Sequence, residues 1–150
     1  MNKTLNQFSK TMEEILILKE VEESKLTEPI RSGKWSTREI IGHLYYWDKF
    51  NLEEMVPKMS DGVRLPEFPD HDLHNEEGIH YLRDKSVGNI IDLFVETRRQ
   101  LVESLAAIPE DTRFFIGKGK RQYSRESFTT IFLKHDKHHV KQINEKLNNA

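Results

Sequence analysis

Apolar residues recur with helical spacing in four stretches of the chain, separated by connections that carry no period. From residue 4 to about 23, Leu5, Phe8, Met12, Ile15, Leu18 and Val21 follow one another at steps of three or four. That spacing is the buried stripe of an amphipathic helix. Its other face, with Glu13, Glu14, Glu20, Glu22 and Glu23, reads as solvated. Pro29 and Gly33 break the period and predict a connection from about Ser24 to Trp35.

Ser36-Thr37-Arg38-Glu39 has the form of a capping box and predicts a second helix from Thr37 to about Val56, ended or frayed by Pro57. Ile40, His43, Leu44 and Trp47 form one inward stripe, and Ile41, Leu44, Asp48, Leu52 and Met55 another. Residues 57–85 carry Pro57, Gly62, Pro66, Pro69 and Gly78 and no sustained period, with one short helix expected near Asn75 to Arg83. A connection of that length is usually functional or mobile, and here it is expected to cover one end of the fold.

Ser86 is placed to cap a third helix, whose buried side is Val87, Ile90, Ile91, Phe94, Leu101, Leu105 and Ile108, with Pro109 just beyond its end. Residues 110–123 form a second connection, in which Phe114 and Phe115 are expected to pack inward and Lys118-Gly119-Lys120-Arg121 makes a basic turn. The last helix, from about Arg125 to Leu147, has Phe128, Ile131, Phe132, His135, His139, Gln142, Ile143 and Leu147 along its inner stripe. Four helices of this kind with two long connections predict an all-α fold, a four-helix bundle with long crossover connections, in a single domain over residues 1–150.

Composition narrows the function classes. Hydrophobic residues make up 36% of the 150-residue chain and charged residues 32%, with a net charge of −2. That balance fits a well-solvated surface and gives no support to a bulk nucleic-acid binder or a polybasic membrane surface. There is no cysteine, so disulfides, thiolate ligands and a cysteine nucleophile are excluded, and any thiol must come from a cosubstrate. No signal-peptide core follows the N-terminus, and Ile15-Leu16-Ile17-Leu18 is far shorter than a membrane span. A cytoplasmic protein is expected. Phosphate loops, a Gly-x-Ser-x-Gly elbow and a helix-turn-helix pattern find no match.

The chemistry concentrates in three histidines. His43 lies on the inner stripe of the second helix, and His135 and His139 lie i,i+4 on that of the last, about one turn apart on one face. Each alone reads as a hydrogen-bonded core residue. A buried imidazole nitrogen left unpaired costs about 1–3 kcal/mol, and one divalent ion would satisfy all three rings. Three neutral nitrogen donors suit Zn, Ni, Fe or Co and leave a coordination position open, as catalytic sites do. His138 reads as a flanking or surface residue. Asp136 follows His135 and is a candidate base, although one step along a helix turns it about 100° away. Gln142 is placed to bond a water molecule at the site or to tie two helices together. His71 and His74 could imitate a second site, a pattern that a solvated loop explains equally. Tyr45, Tyr46 and Trp47 read as core or as a pocket mouth, and Lys118 to Arg121 as a solvated turn or a contact for an anion.

Two of these segments resemble a known family. Lys34-Trp35-Ser36-Thr37-Arg38-Glu39-Ile40-Ile41-Gly42-His43-Leu44 resembles the Trp-Ser/Thr-x-x-Glu-Ile-x-x-His-Leu opening of the second helix in DinB/YfiT-like proteins. His135-x-x-x-His139-x-x-Gln142 resembles their last-helix motif, His-x-x-x-His-Arg-Gly-Gln. The resemblance implies a four-helix bundle in which His43, His135 and His139 hold one divalent metal, Zn or Ni, often in a homodimer. Family activities include bacillithiol- or mycothiol-dependent transfer and a thiol-dependent maleylpyruvate isomerisation; other members have been called metal-dependent hydrolases. It therefore implies a small-molecule substrate and a low-molecular-weight thiol as cosubstrate. Hydrolysis through an activated water, or a metal-stabilised binding protein without catalysis, are the alternatives. Val140 and Lys141 stand where the family has Arg-Gly, a departure expected to narrow the pocket or alter helix packing.

Overall fold

The structure, a computed structural model, describes residues 2–148. Helix α1 (Lys3–Leu16) tightens into a 3-10 turn at Ile17–Glu20 and is followed by the short α2 (Glu23–Thr27). The single helix expected to residue 23 is thus broken. Turning the chain there lets Leu18 and, from α2, Leu26 enter the same apolar cluster. Leu16 and Ile17 remain exposed at the turn.

Helix α3 (Thr37–Phe50) starts as expected. The Ser36 hydroxyl accepts from the Glu39 amide at 3.1 Å, and the Glu39 carboxylate accepts from the Ser36 amide at 3.0 Å. It continues through a π turn (Asn51–Met55) and a 3-10 turn (Val56–Lys58), so the helical path persists to Pro57 with altered winding. In the long connection, α4 spans His71–Tyr81, four residues earlier than expected, because Asp70 accepts from the Leu73 amide and caps it there. Its period is obscured by Leu73, Ile79 and Tyr81, which face solvent. Helix α5 (Val87–Ala106) is capped by Ser86, and α6 (Arg125–Asn148) by Ser124, whose hydroxyl accepts from the Ser127 amide.

The two connections are stitched together by a pair of two-residue parallel strands, β1 (Arg64–Leu65) and β2 (Phe115–Ile116). Strands this short leave no alternation in the sequence. Arg64 reinforces the pairing by donating to the Gly117 and Gly119 carbonyls. Gly117 holds φ +61°, and a Cβ there would lie 2.2 Å from the Glu67 side chain, so the position needs glycine. Phe114 is fully buried, while Phe115 is only half-buried beneath the Arg64 guanidinium.

The α1, α3, α5 and α6 bundle buries its apolar side chains in two clusters, one around Leu101, Phe114 and Phe128 and the other around Ile41, Ile91 and Phe94. Between them each long helix contributes one polar side chain: Thr11, Asp48, Arg98 and Asp136, all buried. Arg98 is the centre of this seam. Its Nε and Nη2 donate to the two Asp48 oxygens at 2.7 and 3.1 Å, and its Nη1 and Nη2 to the two Asp136 oxygens at 2.6 and 3.0 Å. The fifth N–H reaches the Phe8 carbonyl at 3.0 Å, so every guanidinium donor is used. Phe8 and Phe94, one from each apolar cluster, lie 3.7 and 4.9 Å from the guanidinium carbon. Burial works against the charge on Arg98, but the two carboxylates outweigh it and hold the group above its ordinary range.

Candidate metal centre

His43 reaches the bundle interior from α3, and His135 and His139 reach it from α6. The Nε2 atoms of His43 and His135 lie 2.8 Å apart. The three ring centroids are 4.6 to 4.8 Å from one another, and one ligand atom from each ring falls within 4.8 Å of the others. Among the described residues, no other group of three His, Asp or Glu has such spacing. His139 is buried, while His43 and His135 are partly open.

Their protons are assigned by neighbours. His43 Nδ1 is 3.0 Å from the Asn75 side-chain oxygen, which can only accept, so Nδ1 carries the proton. The same oxygen accepts from the Trp47 indole N–H at 3.2 Å. His139 Nδ1 donates in the same way to the Gln142 side-chain oxygen at 2.8 Å. Both rings thus keep an Nε2 lone pair for another partner, the arrangement seen when a histidine binds a metal through one nitrogen and is oriented through the other. Burial, then the charge each neighbouring ring would carry, lowers His43 and His135 to about 3. Burial likewise lowers His139, with Gln142 working the other way. All three are neutral donors at pH 7. At 2.8 Å the His43 and His135 Nε2 atoms share either a proton of His135 or a cation, and three neutral imidazoles suit a borderline divalent cation.

The other sequence candidates divide. Asp136 is not at the cluster: its carboxylate is 2% exposed and accepts from Arg98 and from the Thr11 hydroxyl at 3.0 Å. The helical turn between neighbouring residues carries it to the α1 and α5 side, which removes it as a base. Gln142 orients His139 from within α6 and does not tie two helices through that bond. His138 touches the His139 ring from an exposed position. His74 is buried against Tyr46 and Trp47, and His71 lies edge-on to Trp47. Tyr45 is core. Arg121, in the basic turn, covers Tyr123. Val140 and Lys141 line a groove of about 600 Å³ between α1 and α6, and Lys141 is 79% exposed, so the departure from Arg-Gly does not narrow the histidine site.

Two residues were missed. In the sequence Asn75 looks like one member of a polar run at the start of a short helix. Arg98 has one signal, a charge on the buried side of α5 between Phe94 and Leu101.

An all-helical bundle with an inward-facing three-histidine cluster is the class that fold and site define. Residues 7–143 match the sequence model of the DinB superfamily, and the chain belongs to that superfamily. Its fold is similar to that of YfiT from Bacillus subtilis, described as a probable metal-dependent hydrolase with an unusual four-helix bundle topology. That match has a TM-score of 0.69 at 18% identity and covers 99% of this chain and 89% of that one. No curated protein matches the chain significantly. No helix among the described residues is long and apolar enough to cross a membrane.

Proposed function

We propose that His43, His135 and His139 hold one divalent cation, zinc or nickel, in an enzyme that transfers a low-molecular-weight thiol of the bacillithiol type to an electrophilic small molecule. The observation that carries this reading is a pairing: neutral imidazoles converge at the inner end of an open cleft, and no carboxylate lines that cleft. A divalent ion supplies Lewis-acid chemistry, lowering the pKa of a thiol or water it binds. Asn75 and Gln142 hold the His43 and His139 tautomers, and Trp35 packs against the His43 ring with centroids 4.9 Å apart. Asp136, bound to Arg98, offers no base there, and the imidazoles of His71 and His138 on the cleft lining are the groups placed to take up a thiol proton.

Hydrolysis is the second reading, favoured by the likeness to YfiT, and it would need a base, for which His71 and His138 on the cleft lining are the candidates. Elemental analysis of the purified chain is expected to find about one divalent ion per chain, lost in His135→Ala. A cobalt-substituted sample should change its visible spectrum when bacillithiol is added. Metal without any thiol response, together with turnover of activated esters, would replace transfer by hydrolysis. A homodimer, proposed from family likeness, would sediment at twice the chain mass.

A further inference from the structure

A cleft of about 490 Å³ runs from the surface down to His43 and His135. Its walls are apolar. Phe68, from the segment before α4, meets Trp47 and Phe132 edge-on with centroids 6.1 and 5.8 Å away, and Trp47 and Phe132 lie 6.2 Å apart. Ile131, expected to be core, is instead 37% exposed and completes the wall on α6. Ile131, left open on a helix, and Phe68, half-buried against Trp47 and Phe132, both face one cavity. Lys134 stands on the same lining, which contains no Asp or Glu, so the only full charge there is positive.

We propose that this cleft binds the electrophilic substrate, and that the substrate is a flat aromatic molecule carrying an anionic group such as a carboxylate. This rests on the metal-centre reading for the chemistry at its inner end, but not for the binding itself. Ring faces and edges of Trp47, Phe68 and Phe132 complement an aromatic ring in offset or edge-to-face contact. The volume lies within the range of small-molecule sites, in which apolar walls give affinity and a few polar groups set orientation. Lys134 would pair with the anion and leave the ring to point inward toward His43 and His135, while a cationic substrate would be repelled.

The test uses the full chain and 2-naphthoate as probe, followed by tryptophan fluorescence because Trp47 walls the cleft. The titration is run after chelation and again with zinc supplied. Saturable binding is expected in both states. Ile131→Asp, at an exposed position that tolerates the change, should weaken it at least ten-fold, and Phe68→Ala should do the same. Lys134→Glu should weaken 2-naphthoate at least five-fold more than it weakens neutral 2-naphthol. Absence of saturable binding, or equal binding by wild type and Ile131→Asp, overturns the proposal whatever the metal content. Equal effects of Lys134→Glu on acid and naphthol overturn the anionic part. If naphthoate binds as expected but no zinc is retained, the cleft stands and only the metal-centre reading fails.

Discussion

Arg98 Nη1 lies 2.6 Å from Asp136 Oδ2, one residue along α6 from His135. The same guanidinium holds Asp48, five residues along α3 from His43. Helices α3 and α6 pack against each other far less than α3 packs on α5 or α1 on α6. Besides the direct His43–His135 and Trp47–Phe132 contacts, the two helices that carry the histidines are joined through a side chain of a third. A guanidinium that grips both helices this close to the rings is expected to help set the approach of His43 to His135.

Replacing Arg98 by Met should leave two buried carboxylates without a counter-charge. Breaking a buried ion pair on one side costs about 3–5 kcal/mol, so urea denaturation should show a large loss of stability. Adding Asp48→Asn and Asp136→Asn should recover much of it. Zinc affinity, read by competition with a chelator, should stay weakened in the triple variant. Full recovery of both would show that the seam supports the fold without positioning the site.

Asn75→Leu and Gln142→Leu should each weaken zinc binding about 10- to 100-fold, the usual effect of removing a partner that orients a ligating histidine. The Asn75 change also deprives Trp47 of its acceptor. Chelator competition reads the affinity, and proton NMR of the imidazole N–H signals reports whether the tautomer is lost.

His138→Ala should retain metal and His139→Ala should lose it, although the two rings touch. Only His139 belongs to the cluster of three. Metal-to-protein ratios after gel filtration decide between them, and equal loss in both variants would count against the assignment.

With a chelator present, stability should fall as the pH is lowered through the ordinary histidine range. His43 and His135 are held down to about 3 by burial and by neighbouring rings. Between about pH 6.5 and that value the unfolded chain takes up protons that the folded chain refuses, so folding loses up to about 1.4 kcal/mol per pH unit for each histidine. Above pH 6.5 both states are neutral and the dependence vanishes. Urea midpoints across this window should fall less steeply in His135→Gln.

The helix starts could be read locally because their causes are local. Ser36 and Ser86 each bond an amide three residues ahead, and the i,i+4 spacing of His135 and His139 places both rings on one face whatever the helix packs against. The inward stripe of α3 likewise marked His43 before any neighbour was known. What the chain order cannot specify is which distant residues meet. Asn75 reaches His43 across 32 positions, and Arg98 reaches Asp48 across 50 and Asp136 across 38. The break in α1 and the two-residue strands came from packing and crossover geometry that periodicity does not carry, whereas the early start of α4 has a local cause in the Asp70 cap. Asp136 shows the division most clearly. Its neighbour in sequence is a member of the cluster, but the turn of the helix delivers its carboxylate to Arg98, because a buried charge goes where a counter-charge waits. The sequence by itself determined the four-helix pattern and the three candidate rings. The tertiary structure decided that they converge, which tautomer His43 and His139 adopt, and that an aromatic cleft opens onto them.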